Sequence, residues 1–202
     1  IKGPASSLYG PEAVGGAINL ITKTAPGIPT AQVGYQLDEW GYKRVQFTAG
    51  AQLGKKWSIM TGGYVARQKG SWASNSDFDK SSINVRLDYQ FMPKTKLWGS
   101  FAYNDYFSQT GGNIDSTGFY SRSYKSPADF TYRSSFSSRS RLTLEHKWSE
   151  NANSSLTAFY RDNALGQNPS YSISWTTPSL TASGQINQNS FKSFGLMGQH
   201  TQ

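Results

Sequence analysis

From Ala31 onward, apolar and polar residues alternate with a period of two, the spacing of a strand with one apolar face. Ala31, Val33, Tyr35 and Leu37 alternate with Gln32, Gly34, Gln36 and Asp38. Beyond Trp40-Gly41, Val45, Phe47, Ala49, Ala51 and Leu53 oppose Arg44, Gln46, Thr48, Gly50 and Gln52. A third strand carries Trp57, Ile59, Thr61, Gly63 and Val65 on one side. A fourth sets Ile83, Val85, Leu87, Tyr89 and Phe91 against Asn84, Arg86, Asp88 and Gln90. Leu97, Gly99, Phe101 and Tyr103 mark the fifth. Leu142, Leu144, His146 and Trp148 mark the sixth, against Arg141, Thr143, Glu145 and Lys147. Leu156, Ala158 and Tyr160 define a seventh strand, and Phe194, Leu196 and Gly198 begin an eighth.

The connections form a second pattern. Short turns at 54–56, 92–95 and 149–153 alternate with long polar connections near 69–82, 108–138 and 164–190. Outer-membrane barrels have short periplasmic turns and long extracellular loops, so this alternation assigns a direction. Trp57, Phe91 and Trp148 all lie beside short turns, where an aromatic girdle would sit. Charges on the polar faces, among them Arg44, Arg86, Asp88, Arg141, Glu145, Lys147 and Arg161, suit a wet lumen and not lipid.

The segment before these strands differs in kind. It reads Lys2-Gly3-Pro4, Tyr9-Gly10, Ala13, Gly15-Gly16, Ala17, Ile18-Asn19 and Thr22-Lys23, and Pro26, Gly27 and Pro29 then break the chain. Gly10 and Gly15 match the first two glycines of a phosphate-binding loop. Gly16-Ala17 replaces its Lys-Ser/Thr, so the cation and the magnesium ligand are missing. The whole stretch resembles the end of the plug domain of TonB-dependent outer-membrane receptors. On that resemblance Gly3, Pro4, Tyr9, Gly10, Gly15, Gly16 and Asn19 are plug-motif residues.

The resemblance implies a division at about residue 25. Residues 1–25 are the end of the plug. Residues 26–202 are the first part of a mostly β, antiparallel transmembrane barrel, about eight of the roughly 22 strands such barrels use. It also implies active import across the bacterial outer membrane. A scarce solute, typically a ferric siderophore and otherwise haem or cobalamin, binds outside, and the inner-membrane TonB complex remodels the plug. Outer-membrane lipid and lipopolysaccharide would be the surroundings.

Composition narrows the alternatives. The chain has no cysteine, which excludes a disulfide scaffold and a thiolate metal site. Its formal net charge of +8 is spread along alternating segments, which argues against nucleic acid as partner. His146 falls on the apolar side of its strand, and Asp77 and Asp79 read as solvated loop charges without calcium-site spacing. No nucleophile and base can be paired, so neither an enzyme nor a resident cofactor or metal is expected. The connection between the fifth and sixth strands interleaves aromatic and basic residues. Its Arg122, Lys125, Arg133 and Arg139 are candidate ligand-contacting loop residues for an anionic chelate. A small complete barrel with a structural or adhesive role, and a secreted carbohydrate-binding sandwich, are the competing readings.

Overall fold

The computed structural model describes residues 22–112, 114–125, 130–168, 174–176, 181–183 and 186–202. The plug-motif residues Gly3 to Asn19 lie outside them. The described strands are β1 (Thr30–Leu37), β2 (Tyr42–Leu53), β3 (Trp57–Gln68), β4 (Phe78–Met92) and β5 (Thr95–Gln109). A short helix, α1 (Ser116–Tyr120), precedes β6 (Tyr132–Lys147) and β7 (Asn153–Asn168). The hairpin β8 (Ser174–Thr176) and β9 (Thr181–Ser183) comes before β10 (Asn187–Thr201). One 8-stranded sheet runs β1-β2-β3-β4-β5-β6-β7-β10, and β8 and β9 pair separately. Every pairing is antiparallel.

Register carries each apolar set onto one face. Val33 lies opposite Phe47, Thr61 opposite Val85, Val85 opposite Phe101, Leu97 opposite Leu144, and Leu144 opposite Leu156. That face is solvent-exposed: Val33 is 78% and Phe194 70% accessible. The polar face holds the buried side chains Asp88, Thr143 and Thr157, at 5%, 1% and 2%. Such an inversion of the usual burial pattern is expected where the apolar face meets lipid and the polar face lines an interior.

Aromatic contacts border the apolar band at both ends. At the short-turn end Trp57 and Tyr89 have ring centroids 4.3 Å apart, and His146 and Trp148 4.4 Å. At the other end Tyr103 meets Phe136 and Phe107 stacks on Tyr132, each at 5.6 Å. His146 therefore does lie on the apolar face, beside Trp148 and hydrogen-bonded through Nδ1 to Thr95 Oγ1 at 2.9 Å.

The strands are longer than alternation predicts, chiefly at the long-connection end. There β4 starts at Phe78 instead of Ile83, β5 continues to Gln109, β6 begins at Tyr132, and β7 runs to Asn168. Outward positions such as Ser81, Asp105, Ser134 and Asp162 are polar, so the hydrophobic signal stops while the backbone ladder continues. Arg133 and Arg139 are consequently β6 residues, not loop residues. Asp79 is likewise in β4, with Arg67 Nε at 3.0 Å and Lys69 Nζ at 3.0 Å. The strict alternation of turn lengths fails once. The β1–β2 connection at 38–41 sits at the end of the long loops yet is tight. Asp38 Oδ1 accepts from the amides of Trp40 and Tyr42, and Gly41 adopts φ 83°. A Cβ at Gly41 would collide with the Lys69 carbonyl oxygen.

Candidate functional site

The chain enters the sheet across its polar face. Arg86 Nη1 donates to Thr22 Oγ1 at 2.8 Å, which places the last plug-like residues against β4. Further on, Pro26 crosses above Gly50 of β2. A Cβ at Gly50 would come within 2.8 Å of Pro26 Cδ and 2.5 Å of Met60 Sδ, so only glycine leaves room for the crossing. Thr22, Lys23, Gln46, Tyr64, Asn84 and Arg86 line a concavity of about 900 Å³ there.

Arg86 belongs to a buried polar group that sequence alternation brings to one face but cannot assemble. Its Nε and Nη2 donate to the two Asp88 carboxylate oxygens, both at 2.9 Å, and Lys96 Nζ lies 2.7 Å from Asp88 Oδ1. The guanidinium also stacks 4.4 Å from the Trp98 ring centroid. Arg141 flanks the same ring at 4.9 Å, and Trp98 Nε1 donates to Glu145 Oε1 at 2.6 Å. Trp98 was missed by sequence reasoning. Its one signal is a large aromatic at an inward position of an otherwise polar face. Thr143 and Thr157 close the group, their hydroxyls 2.9 Å apart.

A second cluster sits among the connections at the opposite end. Trp40, Trp72 and Tyr124, from three different connections, form an aromatic row with centroids 6.3 Å and 4.6 Å apart. Ser74 ties two of these loops together, donating through its amide and hydroxyl to the Tyr124 carbonyl, both at 3.1 Å. Asp115 Oδ1 caps α1 by accepting from the Gly118 amide at 2.6 Å. Phe119 and Tyr120, exposed on that short helix, are followed by Arg122 at φ 56°.

The four predicted contact cations are thus split. Arg122 and Lys125 are in this loop cluster, Arg133 is at the rim of β6, and Arg139 is six residues deeper, about 20 Å along the strand. Among the described residues no group of three or more His, Asp or Glu side chains could hold a metal ion.

No protein-family model matches the chain. Solved structures do. BauA, the ferric preacinetobactin receptor from Acinetobacter baumannii, aligns over 98% of this chain and 31% of its own, with TM-score 0.76 and 16% identity. The ferric-catecholate import receptor Fiu from E. coli K12 covers 98% of this chain and 34% of its own, with TM-score 0.68 and 14% identity. The siderophore receptor PiuA from Acinetobacter baumannii reaches 0.66 at 16% identity, over 98% and 31%. The sheet shares the fold of these receptors' barrels. The chain spans about a third of the length of the receptors it matches. In the barrel frame, the apolar band is the outer surface, the Arg86–Trp98 group is on the inner wall, and the Trp40–Trp72–Tyr124 row is among the loops.

Proposed function

We propose that the chain is part of an outer-membrane receptor for energised uptake of a ferric siderophore, drawing on the TonB complex. The observation that carries this reading is the two-sided sheet, with an apolar band girdled by aromatics outside and charges inside. From the Tyr89–Leu97 level to Phe107 is ten residues. At about 3.3 Å each and a tilt near 40°, that is roughly 25 Å between the lower aromatic rim and the Phe107–Tyr132 rim, the spacing of girdles that flank the apolar band of outer-membrane barrels, with Asp105 and Ser134 facing outward at the upper rim. The connector from Thr22 to Pro26 on the inner face supports a plug held within the wall. The small complete barrel is less well supported, because β1 and β10 stand at opposite edges of the sheet.

The ligand-binding part of the reading rests on the loop cluster, where Arg122 and Lys125 neighbour exposed aromatic rings. The test is uptake of labelled ferric catecholate, ferric hydroxamate, haem and cobalamin by a receptor-deficient Gram-negative strain carrying the full gene. Accumulation of a ferric siderophore that vanishes without TonB is expected. Replacing Arg122 and Lys125 together by Gln should weaken binding of an anionic chelate, with a smaller loss at high salt. No TonB-dependent accumulation of any of the four solutes would overturn the reading.

A further inference from the structure

Below the last leucine row of the outward face, four polar side chains run in one line across four strands. Thr95 of β5 pairs with His146 of β6, His146 with Ser154 of β7, and Ser154 with His200 of β10. The preceding row on the same face is Leu97, Leu144, Leu156 and Gly198. One step between rows is two residues, roughly 5 Å along the barrel axis at a tilt near 40°, so the polar line falls just outside the apolar band, where lipid headgroups begin. Trp148 stands beside it at that interface, its ring 4.4 Å from that of His146. Trp148 Nε1, which can only donate, gives its hydrogen to Ser154 Oγ at 2.8 Å. The Ser154 hydroxyl then donates to His200 Nδ1 at 2.8 Å, and Thr95 Oγ1 does the same to His146 Nδ1 at 2.9 Å. With the hydroxyls assigned as donors, both rings carry their proton on Nε2, and neither Nε2 has a partner among the described residues.

Two N–H donors at a membrane boundary need acceptors there, and charge decides which. The described short turns at this end carry Lys55, Lys56 and Lys94 against one carboxylate, Glu150. Lys94 sits at the line itself, its Nζ 3.4 Å from the Trp148 carbonyl oxygen and its own carbonyl accepting from the Lys147 amide at 2.9 Å. We propose that Lys94, His146 and His200, framed by Trp148, bind headgroup phosphates of anionic glycerophospholipid in the periplasmic leaflet. The proposal rests on the outer-membrane reading. Imidazole N–H and ammonium groups are donors suited to phosphate oxygens, and a lysine beside an anionic surface adds an attraction that zwitterionic lipid does not offer. His146 and His200 are two strand spacings apart, about 10 Å, so they serve adjacent headgroups and not a single phosphate. Lys94, next to Thr95, supplies its charge at the His146 end.

The test uses the full-length protein reconstituted into nanodiscs of phosphatidylethanolamine with a minor share of phosphatidylglycerol. Lipid still bound after transfer to mild detergent is counted by native mass spectrometry. The parent should retain phosphatidylglycerol several-fold above its share of the bilayer. Lys94→Gln, a change in an exposed turn, should lower that enrichment by up to roughly five-fold. Lys94→Gln with His146→Phe and His200→Phe should abolish it, whereas Lys55→Gln with Lys56→Gln, at the β2–β3 turn, should leave it unchanged. No enrichment in the parent, undiminished enrichment in the triple variant, or an equal loss in the Lys55 and Lys56 variant would overturn the site while leaving the outer-membrane reading intact. A protein that enters no bilayer would overturn the outer-membrane reading itself, and the site with it.

Discussion

Thr143 and Thr157 illustrate how single residues behave on a wall whose polar face is the buried one. Their hydroxyls satisfy each other at 2.9 Å, and both are almost inaccessible. Thr143→Val should leave the Thr157 hydroxyl without that partner and cost about 1–3 kcal/mol, read as a lower unfolding midpoint of the full-length protein in detergent. The double change Thr143→Val with Thr157→Val should recover part of the loss, because the Thr157 hydroxyl goes with its partner while Arg141 Nε, 3.3 Å from Thr143 Oγ1, still loses that acceptor. Equal midpoints for the single variant and the parent would show that the pair contributes nothing. Arg86 and Asp88 are different, with side chains only 11% and 6% accessible. Removing one member there leaves an uncompensated buried charge, which is the costlier kind of change.

The element scale is governed by register. Each strand inherits its facing from its neighbour, so one displaced pairing would exchange the two faces throughout. The Phe91 bulge between Gln90 and Met92 ends β4 without disturbing this, since Met92 pairs with Thr95 and β5 resumes the same alternation. Cysteine at Phe47, Val85 or Leu144 should react with lipid-soluble reagents. Cysteine at Gln46, Asn84 or Ser100 should react with small water-soluble reagents reaching the inner face, except where the connector covers it. Reversed labelling at the neighbouring Asn84 and Val85 positions would disprove the register.

For the whole molecule, sidedness follows from the direction of the strands. The tight β2–β3 and β6–β7 turns are at one end, and α1 and the β8–β9 hairpin fall within connections at the other. If the proposed outer-membrane role holds, an epitope inserted at Thr117 of the full-length protein should be reached by antibody on intact cells. Insertions at Lys55 or Asn151 should be reached only after the outer membrane is opened. Gln167, loop-like by its sequence, is a β7 residue and a poor insertion site. Surface detection of the Lys55 epitope would invert the proposed topology.

By itself the sequence determined the class of fold and the facing of nearly every strand residue, because period-two alternation is a local consequence of a sheet with unlike faces. Val45, Phe47 and Ala49 against Arg44, Gln46 and Thr48 needed no tertiary information. Alternation could not find where strands end above the apolar band. Ser134 and Ser138 are as polar as their neighbours Arg133 and Arg139, and only backbone pairing with β5 and β7 makes them strand. Nor could it find partners across strands. Arg86, Trp98 and Arg141 are up to 55 residues apart and meet because antiparallel register aligns their rows. The same alignment brings Arg139 opposite Arg161 and Trp40 beside Trp72. Facing is written in each residue's immediate neighbours, whereas contact depends on how distant strands are registered, which only the folded sheet decides.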